Sequence, residues 1–130
     1  MEYLNEEDFL IREDSGETIK LILMSGIRKI IEAEQIEYTL TLESCDKVNF
    51  KGRDSVHIVI KCCVKSKAGK IFETFASASP ETTSFGYIVE IAEKRAISRA
   101  VLLSMGLYNT FKGADEFQLT LRPKLPTEGF

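Results

Sequence analysis

The sequence predicts an α+β domain ordered as helix, three-stranded antiparallel meander, helix (α-β-β-β-α), a two-layer sandwich. Three observations predict it. Residues 36–45 alternate apolar and polar side chains, the period of a strand with one buried face. Residues 55–66 and 71–78 are two more strand-like runs, joined by the turn sequence Lys67-Ala68-Gly69-Lys70. On either side, residues 17–33 repeat apolar positions at spacings of three and four, the period of a helix, and residues 86–106, between the capping-rich PETTS and Gly106, read as a long second helix.

Each element has its own justification. Residues 1–16 are polar and acidic around an apolar patch, Phe9-Leu10-Ile11, and close on the turn residues Ser15-Gly16. They read as an N-terminal arm. In the first helix Ile19, Leu23, Ile27 and Ile30 form one stripe, with Ser25, Arg28, Lys29 and Glu32 opposite. Gly26 inside it costs about 1 kcal/mol relative to alanine, which suggests close packing against a sheet. In the first strand Ile36, Tyr38, Leu40 and Leu42 face one way, and Glu37, Thr39, Thr41 and Glu43 the other. Residues 46–54 read as a polar loop turning at Gly52, with Lys47, Lys51 and Arg53 around Phe50. Val56, Ile58, Ile60, Cys62 and Val64 share one face of the second strand. Pro80 ends the meander, because it cannot donate to a ladder. The second helix stops at Gly106, a C′ glycine. Both helices are expected on the apolar side of the meander. The single domain spans 17–108, and 109–130 read as a weakly ordered tail. This element order is that of double-stranded-RNA-binding domains.

Composition narrows the function classes. The chain has 130 residues, room for one domain with a real core. It lacks an apolar run long enough to span a membrane, and its acidic start is unlike a signal peptide, so a cytoplasmic location is expected. Cys45, Cys62 and Cys63 are odd in number and two are neighbours; with His57 alone they do not make a zinc site, so no metal is expected. Gly16, Gly26, Gly52 and Gly69 are isolated rather than gathered in a phosphate loop, and no catalytic constellation or cofactor motif is present. The protein is therefore read as non-enzymatic. The net charge is −3, but unevenly spread. Residues 1–37 hold ten acids and four bases, whereas residues 38–112 hold seven acids and eleven bases.

The informative segment is YIVEIAEKRAISRAVLLSMGLY, residues 87–108. At 100° per residue Arg95 and Arg99 fall one turn apart on one stripe, flanked by Ala92, Ala96, Ala100 and Ser98. Small neighbours leave long guanidinium side chains room to reach outward, where an Arg pair can grip successive phosphates. The competing expectation is structural: ion pairs with the chain's own Glu37, Glu43 or Glu73, or stems lying over apolar surface. Apolar residues nearly all round the rest of the helix, including Ile91, Ile97, Val101 and Met105, suggest cover on a second side by the C-terminal segment or a neighbouring subunit.

The segment resembles the last core helix of phage and prophage single-strand annealing proteins of the Erf-like essential recombination function families. The matching positions are Ala92, Glu93, Lys94, Arg95, Ala96, Arg99, Ala100 and Gly106, with Tyr108 as the aromatic after the glycine. The resemblance implies a β-β-β-α core, single-stranded DNA bound along sheet and helix, annealing of complementary strands in recombination, and ring or filament assembly. It carries Lys94, Arg95 and Arg99 over as nucleic-acid contacts; Lys51 and Arg53 are added from local charge alone. Three readings follow: a single-stranded-DNA-binding, annealing module; a duplex-RNA-binding domain, from element order; and a protein-interaction or homo-oligomeric assembly unit.

Overall fold

The stretch after Ser15-Gly16 continues a hairpin rather than starting a helix. The computed structural model describes residues 2–83 and 85–117. Its elements are β1 (Phe9–Asp14), β2 (Glu17–Ile22), α1 (Met24–Ala33), β3 (Glu37–Phe50), β4 (Arg53–Lys65), β5 (Ile71–Ala78), α2 (Ile88–Ser104) and β6 (Lys112–Gly113). Short 3-10 turns cover Glu6–Asp8, Phe85–Tyr87 and Ala114–Phe117. The strands form two sheets, β1-β2-β6 and β3-β4-β5. The expected α-β-β-β-α order, and with it the double-stranded-RNA-binding-domain likeness, is therefore corrected to β-β-α-β-β-β-α-β.

The correction has a local cause. Ser15 and Gly16 both take positive φ (53° and 83°), the two-residue turn whose twist suits a hairpin. That turn pairs the acidic arm with ETIKLI, from Phe9↔Ile22 to Asp14↔Glu17. Ile19 thus belongs to a strand, and the helical stripe begins only at Ile27 and Ile30, both fully buried. Beyond the arm, the tail also contributes: Lys112–Gly113 runs parallel to β2. The rest of the tail, 118–130, lies outside the described residues.

The meander is longer than its alternation suggested. Lys51 and Gly52 form a second two-residue turn with positive φ (54° and 80°), so residues 46–54 are strand and tight turn, not loop. A bulge between Leu42 and Ser44 shifts the register. After it Cys45 and Lys47, opposite Ile58 and Val56, lie on the helix side of the sheet. β3 is an outer strand, and Tyr38 (44% exposed) and Leu42 (57%) on its helix side stay open. The buried face belongs mainly to β4 and β5: Ile58, Ile60, Cys62, Val64, Thr74, Ala76 and Ala78. Burial pushes the Cys62 thiol up to about 12, so it packs as a neutral core residue.

Helix α2 lies across β4 and β5 on its alanines. Ala92, Ala96 and Ala100 are fully buried, and Thr74 Oγ1 donates to the Ala96 carbonyl at 3.0 Å. Small side chains on helix and sheet allow this close approach. α1 packs beside α2 and against β2. Gly106, at φ 69°, closes α2 as expected: its N–H reaches Leu103 O (3.1 Å), while Leu107 N–H reaches Leu102 O (2.8 Å). On the opposite face of the meander, Lys61 pairs with Glu43 (3.5 Å) and Glu73 (3.4 Å) across three strands.

Asp8 ties the arm to α1. Its buried carboxylate accepts from Lys29 Nζ and Ser25 Oγ, both at 2.8 Å, and from Asn5 N at 3.1 Å. These bonds, Lys29's first, hold its carboxyl below its ordinary value. A depressed carboxylate stabilises the fold above the unfolded-state value and loses that contribution as pH falls through the folded value. Asp8→Asn should therefore melt below the native chain at pH 7. The gap should close under acid conditions, as read by circular-dichroism melts across pH.

Gly26 sits where this junction is tightest. A Cβ there would come within 2.7 Å of Ile22 Cγ1 and 3.2 Å of Asp8 Cβ. Ile22 is itself 1% exposed, so it has little room to move. Gly26→Ala should lower the urea midpoint despite alanine's advantage of about 1 kcal/mol in helices.

Candidate nucleic-acid interface

The two helix arginines do not reach outward together. Arg95 is 6% exposed and folds over the outer edge of β5. Its Nη1 donates to the Ser77 carbonyl (2.8 Å) and to Thr82 Oγ1 (3.2 Å). Nη2 donates to Thr82 O (3.2 Å), and Nε to Asp115 O (2.9 Å). Arg99, half-buried, donates from Nη1 to the Phe75 carbonyl at 2.8 Å.

The spacing explains the pattern. Arg95 and Arg99 are four residues apart on a helix, about 6 Å along its axis. Ser77 and Phe75 are two residues apart on an outer strand, about 6.6 Å, with both carbonyls pointing the same way. The arginine ladder matches successive outward carbonyls of β5. The same spacing had suggested successive phosphates. Nor do the expected glutamates take the arginines up in the bonds above: Glu43 and Glu73 hold Lys61.

The other predicted residues are dispersed. Lys94 is half-buried on α2 near Asp115. Burial raises the Asp115 carboxyl above its ordinary value, and the positive charges of Lys94 and Arg95 act against that rise. Lys51 and Arg53 stand at the tip of the β3–β4 hairpin, where Lys51 Nζ lies 5.1 Å from the Phe50 ring centre. Residues 46–57 of that hairpin run past the end of β5, whose pairing with β4 starts at Ile58. The tip therefore forms a separate small basic patch.

A different cluster combines charge, rings and a hollow. Phe9 and Phe111 pack with ring centres 5.0 Å apart at 49°. Lys20 Nζ lies 4.2 Å from the centre of Phe9 and 5.6 Å from that of Phe111. They border an open pocket of about 740 Å³, lined by Leu4, Phe9, Ile11, Leu107 and Phe111, with Asn5, Glu6 and Lys20 as its polar part. Strand register places Phe9, Ile11 and Lys20 on one face of β1-β2. Phe111 arrives from the segment after α2, fixed by its N–H bond to Leu107 O at 2.9 Å. Lys112, opposite Leu21, is on the other face, with Nζ 4.7 Å from the Tyr108 ring centre.

Sequence reasoning missed this cluster because its members are spread over residues 4–111. The local signals were Phe9-Leu10-Ile11 and the alternation Thr18, Lys20, Ile22; both are strand signals once Ser15-Gly16 is read as a hairpin turn.

Removing Arg95 strips partners from several carbonyls at a buried junction. Arg95→Ala should destabilise the fold by about 3 kcal/mol or more, and Arg95→Lys should not rescue it, because an ammonium cannot span the fork. Arg99→Ala should cost about 1 kcal/mol. Urea unfolding of the three variants checks the order.

Compared with protein-family models and with curated proteins, the chain matches none.

Proposed function

We propose that this protein is a non-enzymatic module that binds single-stranded DNA and serves strand annealing of the phage recombination type, with Lys20, Phe9 and Phe111 as its contact surface. The observation that carries this reading is the ammonium group of Lys20 held over two phenyl rings in the lining of an open, mostly apolar pocket. A base needs a π face or an apolar wall, and its phosphate needs a cation; single-strand binders combine the two. The motif resemblance of α2 and its setting, three antiparallel strands followed by a helix laid across them, support the same reading. In this reading the α2 arginines hold the scaffold, and Lys94, Lys51 and Arg53 contribute charge at a distance.

The duplex-RNA alternative loses its basis, because it rested on a helix–sheet–helix order that the fold does not have. The interaction-module alternative keeps one specific observation. Ile11 (59% exposed) beside the pocket, and Tyr38 and Leu42 on the outer strand β3, are open apolar side chains.

Fluorescence anisotropy with oligothymidylate, duplex DNA and duplex RNA at low and high salt separates the readings. The native chain should prefer single strands and bind them more weakly in salt. Phe111→Ala and Lys20→Ala should each weaken binding by roughly tenfold, a stacking-sized loss. Lys112→Ala, on the other face, should change it little. Absence of binding to every nucleic acid, with oligomers seen by light scattering, would favour the interaction module.

A further inference from the structure

We propose that the N-terminal arm is an acidic strap that closes part of the Lys20 pocket and competes with an incoming nucleic-acid strand for it. This rests on the reading above, that the pocket takes a base and its phosphate. The arm is fastened at two points. At one end Tyr3 Oη donates to Glu34 Oε2 at 2.9 Å, on the residue that follows α1. At the other, Asp8 accepts from Ser25 and Lys29, and its carbonyl accepts from Leu23 N at 2.8 Å. Between these fastenings Leu4, Asn5 and Glu6 form one wall of the pocket.

The charge of the strap has the sign of the ligand. Glu2, Glu6 and Glu7 are exposed, and Glu6 lines the same hollow as Lys20. A phosphate entering that hollow toward Lys20 therefore meets a carboxylate on its wall. Like-charge contact favours displacement of the arm when the strand enters. The fastening at Tyr3 is the weaker one, a side-chain hydrogen bond and the packing of half-buried Tyr3 and Leu4 on the core, whereas Asp8 is fully buried and its carboxylate accepts several bonds. The arm is thus hinged at Asp8 and released at Tyr3. Empty protein keeps the apolar pocket partly covered, and bound protein has the arm swung outward.

The test uses the full chain with Glu6→Gln, Tyr3→Phe and their combination, which leave Phe9, Lys20 and Phe111 themselves unchanged. A short fluorescein-labelled oligothymidylate is titrated at low and high salt. The double variant should bind about threefold tighter or more at low salt, and the advantage should shrink in high salt for the Glu6 change. Hydrogen exchange supplies a second readout: the Asn5 and Glu7 amides of the native chain should exchange faster once oligothymidylate is bound, while that of Leu23 stays protected. Native binding with equal or weaker binding by the double variant overturns the strap alone. So does slower exchange at Asn5 and Glu7 in the complex. If neither native chain nor variants bind the oligonucleotide, the pocket reading falls and the strap with it.

Discussion

The position of α2 on the meander is set by guanidinium groups bonded to the open edge of a strand. Arg95 and Arg99 donate to the carbonyls of Ser77 and Phe75. Among the described residues those groups face no neighbouring strand, because β5 is an outer strand of its sheet. The arrangement satisfies acceptors at the edge and denies that part of it to another strand. Arg95 also gathers the loop at Thr82 and the turn at Asp115, so one side chain joins sheet, loop, helix and C-terminal segment.

The second sheet depends on that junction. Asp115 follows β6, and Arg95 holds its carbonyl. β6 in turn lies on β2 and close under α2, where Gly113 leaves room: a Cβ there would meet Ser98 Cβ at 2.9 Å. Phe111 precedes β6, and its contact with Phe9 completes the pocket. The buried arginine thus supports the proposed site from a distance, by fixing the strand that brings one of its rings. Asp8 does the same on the other wall, by anchoring the arm to α1.

What could be read from the sequence follows from where burial is one-sided. β4 and β5 alternate cleanly because α2 covers one of their faces, and 71–78 matches Ile71–Ala78. Gly106 marks the helix end because only that backbone closes the turn. Residues 17–23 misled because Ile19, Leu23, Ile27 and Ile30 also fit a helical stripe, and short apolar runs do not separate the two periods. Residues 46–54 hid a strand because the overhanging hairpin has little buried face to impose alternation. The arginine pair was visible but ambiguous: a spacing of one helical turn suits two phosphates and two outward carbonyls equally well.

The central claim is that α2's arginines serve the scaffold while the Phe9–Lys20–Phe111 face meets the ligand. Backbone amide shifts of the isotopically labelled chain during an oligothymidylate titration test it most directly. The account predicts shifts grouped at residues 4–11, 20 and 107–111, with those of 95–99 unmoved. Shifts concentrated along the exposed side of α2, with the aromatic pocket silent, would contradict it.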